Sequence, residues 1–150
     1  MRVPPIRSHT LNMDSISPQR KAELMELFSL ERYALLDLRA LLLAQMKTAE
    51  QKLERVNDAA GRALKLQMAD ISLTLKAIDL AVAYRDTDRA KERYEQVYLL
   101  QMRVIGPGLF EDDYRDDEEI NRIAAEVNPA IDAIRNAERE EGWQTLLAFM

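Results

Sequence analysis

The chain has 150 residues, of which 47% are hydrophobic and 31% charged, and these proportions fit a folded domain rather than a disordered chain. It contains no cysteine, so disulfides, thiolate metal sites and cysteine nucleophiles are excluded. Glycine and proline are scarce, with 4 and 5 copies, whereas Ala, Leu, Glu, Arg and Lys are abundant. Because these abundant residues favour helices, we predict an all-α fold in a single helical domain over residues 17–150.

The net charge of −5 is concentrated in the last third of the chain, where residues 106–150 carry four basic and twelve acidic side chains. The rest is nearly neutral, and a near-neutral surface binds polyphosphates poorly, so we expect no nucleic-acid partner. The longest stretch without an ionisable side chain other than histidine is the nine-residue segment Gly142–Met150. A bilayer span needs about 20 residues. Since Met1–Asn12 also lacks the pattern of a secretory signal, we expect a cytoplasmic protein without a membrane partner.

Residues 1–16 carry little apolar periodicity and are interpreted as a mobile N-terminal arm. Ser17-Pro18 is a helix start, because Ser offers an N-cap oxygen and Pro fits the first helical position. A stripe at steps of three, four or seven residues then predicts one long helix from Pro18 to Val56. The stripe contains Leu24, Phe28, Leu35, Leu38, Leu42, Met46, Ala49, Leu53 and Val56.

A second helix follows with apolar residues at alternating steps of four and three, as in a coiled coil: Leu64, Met68, Ile71, Leu75, Ile78 and Val82. Asn57-Asp58 and Gly61 are turn and cap residues, so we favour an antiparallel hairpin over one continuous helix from Pro18 to Tyr84. The charged run 85–93 is read either as a solvated helix or as a break near Asp86-Thr87-Asp88. Residues 17–105 thus form the predicted hairpin, with Tyr94, Tyr98, Met102 and Ile105 resuming its apolar face.

The segment 105–109, Ile-Gly-Pro-Gly-Leu, ends the helical pattern, and we assign residues 106–119 to an acidic loop. Shorter C-terminal helices and an apolar tail over 120–150 are predicted to complete a bundle, with the helical pattern starting near Asp116 or Asp117. Asn128-Pro129 indicates two short helices or one kinked helix, and Gly142 is read as a C-terminal cap. The tail either folds back onto the bundle, which we favour, or inserts into another chain.

The sequence lacks the residues that known catalytic chemistries need. Its single histidine, His9, falls in the predicted arm, so triads, HExxH zinc sites and di-iron signatures are not expected. No glycine-rich phosphate loop occurs. We therefore predict a non-enzymatic protein without metal or cofactor.

Residues 111–119 hold seven carboxylates in nine positions. Three interpretations stay open: a solvated loop whose acids favour the next helix N-terminus, a docking site for a basic partner, or a Ca²⁺ or Mg²⁺ site. We favour the solvated loop. The other acids that lie beside the apolar stripes, among them Asp70 and Asp79, are expected to form structural salt bridges with residues such as Arg32 and Arg39.

The leading hypothesis is a protein–protein interaction module, an adaptor, chaperone or assembly factor that acts through an apolar helix face. Two helices alone cannot bury the wide Leu24–Leu43 face, so we expect a homo-oligomer, specifically a dimer. The alternative is an acidic modulator that occupies a basic, for example nucleic-acid-binding, surface of a partner protein. The candidate partner-binding residues are Leu27, Leu30, Leu36, Leu41, Asp112, Asp113, Asp116, Asp117, Trp143 and Leu147.

Overall fold

A computed structural model describes residues 16–105 and 116–150, and within these ranges all regular secondary structure is helical. The predicted all-α bundle with its helical hairpin is therefore confirmed. The described residues form α1 (Pro18–Glu26), a 3-10 turn (Leu27–Ser29), α2 (Arg32–Leu53), α3 (Asp58–Arg85), α4 (Asp88–Ile105) and α5 (Asp117–Phe149). No helix in the described part of the chain is both long and apolar enough to cross a membrane.

The first predicted helix starts where expected but is interrupted. Ser17 Oγ accepts a hydrogen bond from the Arg20 amide at 3.1 Å, and Pro18 occupies the first helical position. The prediction of one helix to Val56 is wrong, because the backbone becomes extended at Leu30 and Glu31 before α2 begins. This break frees the Phe28 carbonyl, which accepts a hydrogen bond from Arg85 at 2.5 Å and so ties the turn to α3.

The hairpin of α2 and α3 is confirmed, and a continuous helix through Asn57 is excluded. Asn57 is the N-cap of α3, and its side chain accepts a hydrogen bond from the Ala60 amide at 3.0 Å. Gly61 is not part of the turn as predicted, since it is buried within α3 beside Leu53. Ion pairs of 2.9 Å, Arg39–Asp79 and Arg32–Asp86, join the two antiparallel helices.

The charged run 85–93 breaks, which was one of the two predicted alternatives. The α3 helix ends at Arg85, and the hydroxyl of Thr87 accepts a hydrogen bond from the Ala90 amide at 3.2 Å near the start of α4. The α4 helix then packs against α5 rather than continuing along α2 and α3. Its described residues run to Ile105, and residues 106–115 of the predicted acidic loop lie outside the described part of the chain.

The C-terminal region is one helix of 33 residues, the longest in the described structure, rather than shorter helices. Asp116 is its N-cap and accepts a hydrogen bond from the Glu119 amide at 2.8 Å, so the helix starts where the pattern near Asp116 or Asp117 indicated. Residues 117–119, which were assigned to the acidic loop, therefore belong to the helix. No new helix starts at Asn128-Pro129. Buried Val127 and Ile131 flank Pro129, and this packing holds the helix where proline removes a backbone donor.

The core forms where α1, the turn, α2, α3 and the C-terminal half of α5 meet. The tail folds back, as favoured from the sequence, and its Trp143 and Leu146 are 6% and 0% exposed. Beside α1 and the 3-10 turn, the described residues thus form two antiparallel pairs, α2 with α3 and α4 with α5, which share a junction at the end of α3. Residues 1–15 of the predicted arm lie outside the described residues, and Ile16 packs against the core. The core contains Leu24, Leu27, Phe28, Leu35, Leu73, Ala77, Ile78, Ala81, Trp143 and Leu146.

Candidate functional site

A buried ion pair holds the junction between the two helix pairs. Arg85 of α3 and Glu138 of α5 lie 2.5 Å apart, with side chains only 11% and 5% exposed. The Tyr84 hydroxyl donates a second hydrogen bond to Glu138 at 2.8 Å. Because Arg85 also bonds the Phe28 carbonyl, three segments that are distant in sequence are fixed to one another.

Arg93 extends this arrangement into α4. Its guanidinium donates to the Tyr84 hydroxyl oxygen at 3.0 Å and forms an ion pair with Glu141, which Arg89 also contacts at 3.0 Å. The hydrogen bonds from Arg93 lower the pKa of the Glu141 carboxyl, and burial raises the pKa of the Tyr84 phenol. We call Tyr84, Arg85, Arg93, Glu138 and Glu141 the junction network. It fixes the position of α4 relative to α3 and α5.

The junction also depends on a residue without a side chain. Gly142 is buried inside α5, so the sequence-based interpretation of a helix cap is wrong. A Cβ atom at this position would overlap the ring of Phe28. The glycine therefore allows the turn to approach the α5 backbone closely, which places Glu138 within reach of Arg85.

Above this junction lies a groove made of two cavities. The larger, of about 330 Å³, lies between the start of α2 and the start of α4 and is bordered by Tyr33 and Tyr94. The smaller, of about 90 Å³, shares Tyr94 and continues along α4 to Tyr98. Arg85 and Glu31 line both cavities. We call the two cavities together the junction groove.

From the tyrosines that line the junction groove, exposed apolar side chains continue along both helices. On α2, Tyr33 is 68% exposed, and Leu36, Ala40 and Leu43 follow at steps of three, four and three residues. This spacing places them on one stripe of the helix, turned away from the stripe that packs on α3. On α4, Tyr94, Tyr98 and Ile105 are 56%, 51% and 58% exposed. We call these two stripes and the junction groove the aromatic face.

The structure separates the four leucines that were predicted to bind a partner. Leu27 is buried and Leu30 is half-buried against the core, so neither offers a free surface. Leu36 and Leu41 are 45% and 55% exposed, but they lie about 140° apart around α2. Only Leu36 belongs to the aromatic face.

The remaining candidates do not form one surface either. Trp143 is buried in the core and Leu147 is half-buried beside it, because the tail folds back. Asp116 and Asp117 are exposed at the start of α5, where acidic groups favour the helix dipole. This agrees with the solvated interpretation for that part of the run. Asp112 and Asp113 lie outside the described residues.

Buried carboxylates in the described ranges form ion pairs that support the fold. In the described ranges, no group of three or more His, Asp or Glu side chains is arranged to hold a metal ion. The expected salt bridge between Arg39 and Asp79 is present, whereas Asp70 pairs with Arg20 at 3.1 Å. The single histidine of the sequence, His9, lies outside the described residues.

Sequence reasoning missed the aromatic face for two reasons. Tyr33 was not assigned to any stripe, although the steps from Tyr33 to Leu43 repeat the spacing of the inner stripe. Tyr94 and Tyr98 were assigned to the apolar face that continues the hairpin, together with Met102 and Ile105. A second apolar stripe on one helix is the signal that could have revealed the surface.

Comparison with known proteins adds no relative to this description. No family model matches the chain, and neither curated proteins nor solved structures gave a significant match.

Proposed function

We propose that the chain is a non-enzymatic, helical protein–protein interaction module that binds its partner through the aromatic face. One observation carries this proposal: three tyrosines remain at least half exposed around a groove whose base is fixed by the buried junction network. Tyrosine is enriched among residues that dominate binding energy at interfaces. A rigid base reduces the entropy that binding must overcome, since the groove need not be ordered by the partner.

The chemistry of the face suits a protein rather than a polyanion. Its exposed groups are mostly aromatic rings and aliphatic side chains, and full burial of each contributes roughly 1.5–3 kcal/mol. Of the cationic side chains that line the groove, Arg32 is paired with Asp86 and Arg85 with Glu138. The acidic Glu31 lines the same two cavities as the other two cations, Lys91 and Arg135. The expected contact is therefore apolar at its centre and polar at its rim, as in ordinary protein interfaces.

The proposal is tested by affinity capture from the source cell with mass spectrometry, using the full chain as bait. The informative variant is Tyr94→Glu, which places a charge where the two cavities meet. Its matched control is Leu99→Glu, since Leu99 is 57% exposed on the same helix but about 140° away. We expect a protein captured by the parent chain to be lost with Tyr94→Glu and retained with Leu99→Glu. Equal capture by both variants, with unchanged helicity by circular dichroism, would contradict the proposal.

A further inference from the structure

We propose that the partner seated on the aromatic face is a second copy of this chain. This inference rests on the proposed function and names the occupant of the same surface. Three properties of the surface support it: its area, its arrangement of large and small residues, and its balance of charge.

The exposed area approaches what a dimer needs. The exposed parts of Tyr33, Leu36, Leu43, Tyr94, Tyr98 and Ile105 leave roughly 600 Å² of side-chain surface. Apolar patches on monomeric proteins seldom exceed a few hundred Å², whereas a standard interface buries about 800 Å² on each partner. The bordering residues of α2 and α4 supply the remainder, so two copies can form an interface of ordinary size.

The α2 stripe is complementary to itself. When two copies of α2 lie antiparallel with the two-fold axis midway between Leu36 and Ala40, Leu36 of each copy faces Ala40 of the other. In the same register, Tyr33 of each copy faces Leu43 of the other. Large residues then meet smaller ones, which lets the helices interdigitate, and one surface serves both copies as a closed dimer requires.

The face carries no net charge that would demand a different partner. Asp37 and Lys47 border the α2 stripe, and Lys91 and Glu95 border the α4 stripe. Glu31 and Arg135 line the junction groove itself. Within residues 16–105 and 116–150 none of these six side chains forms an ion pair, so three charges of each sign are free to meet a partner. Although the whole chain carries −5, two copies of this balanced surface approach one another without net repulsion.

The first test is sedimentation equilibrium of the full chain over a range of micromolar concentrations. We expect the mass of a dimer, and we expect Leu36→Glu to weaken association at least tenfold because it places a charge at the centre of the interface. Leu41→Glu is the matched control, since it makes the same change at a similarly exposed site on the other flank of α2. Asp37 lies close to its own copy across the axis, so Asp37→Asn should tighten association about twofold.

The second test uses the absence of native cysteines. A single cysteine introduced by Ala40→Cys should be joined to its own copy by a short bismaleimide, because position 40 lies beside the two-fold axis. Ala133→Cys, an exposed alanine on α5, should give only the background of random collisions. A strong cross-link from the first variant and none from the second supports this register.

The results also separate this inference from the function on which it rests. A parent chain that sediments as a monomer at all concentrations overturns the second copy as occupant. If Tyr94→Glu nevertheless loses a captured protein, the interaction function stands and the occupant is another protein. A dimer that Leu36→Glu and Leu41→Glu weaken equally, with no cross-link at position 40, also overturns the inference, because the copies then meet elsewhere.

Discussion

Arg93 and Tyr94 are neighbours on α4, yet the arginine side chain is 15% exposed and the tyrosine is 56% exposed. In the junction, the largely buried arginines Arg85 and Arg93 pair with Glu138 and Glu141. On the aromatic face, the tyrosine rings remain exposed to solvent. Both choices oppose the usual preference of the residue types. We therefore expect substitutions in the junction to destabilise the fold and substitutions on the aromatic face to leave it intact.

The largest expected effect comes from opening the buried pair of the junction. Glu138→Ala leaves Arg85 buried without its carboxylate, and breaking such a pair costs about 3–5 kcal/mol of unfolding free energy. Urea denaturation followed by circular dichroism measures this loss. A change below about 1 kcal/mol would mean that water reaches Arg85 and that the junction is not the rigid base described above.

Two glycines test the comparison, because replacing each with alanine should change the free energy of unfolding in opposite directions. Gly142→Ala forces a methyl group into the Phe28 ring and should destabilise the chain by roughly 3 kcal/mol. Gly61→Ala meets its nearest neighbour, the Leu53 side chain, at 3.5 Å and should stabilise α3 by about 0.5–1 kcal/mol. Thermal melting of both variants checks the pair, and equal shifts would contradict the close approach of Phe28.

A smaller effect is expected from acid. Arg93 lowers the pKa of Glu141 below its ordinary value of 4.5. In the pH range between the lowered pKa and 4.5, the unfolded chain therefore binds more protons than the folded one. The stability supplied by this pair is therefore complete above pH 4.5 and is lost as the pH falls through the lowered pKa. Denaturation as a function of pH should show this loss in the parent chain and a shallower slope in Glu141→Gln.

The smallest effect on stability should come from the aromatic face. Because Leu36 is exposed within one copy, Leu36→Glu should change the unfolding free energy of the monomer by less than about 0.5 kcal/mol. The measurement belongs at low concentration, where association does not contribute. A loss as large as that of Glu138→Ala would show that Leu36 supports the core, and the contrast between the two regions would fail.

Local signals predicted the parts of the fold that depend on local chemistry. The caps at Ser17 and Asn57 and the heptad spacing of α3 placed the hairpin, and the start of α5 agrees with the helix expected near Asp116 or Asp117. The break after α1 escaped prediction, and the close contact that accompanies it, between Phe28 and Gly142, joins residues more than a hundred positions apart. Arg85 and Arg93 were read as part of a solvated or broken run, since their partners are 53 and 48 residues away.

The candidate site was predicted only in part. Apolar residues on α2 were expected to face a partner, and Leu36 does so in the proposed interaction. Leu27 and Leu30 were placed on the flank of one long helix, whereas in the structure they lie in and directly after the 3-10 turn and pack in or against the core. The junction groove depends on the approach of α2 and α4, which are not neighbours in sequence, and no local pattern encodes it.

The long α5 helix has a consequence for the order in which the chain folds during synthesis. Trp143 and Leu146 pack against Leu24, Ala77 and Ala81 in one core cluster, so α1 and α3 cannot complete their packing before α5 has been made. Until then, the face of α3 that α5 will cover is open to water and to other chains. Contacts between segments so far apart form late and slowly compared with those inside the α2–α3 hairpin.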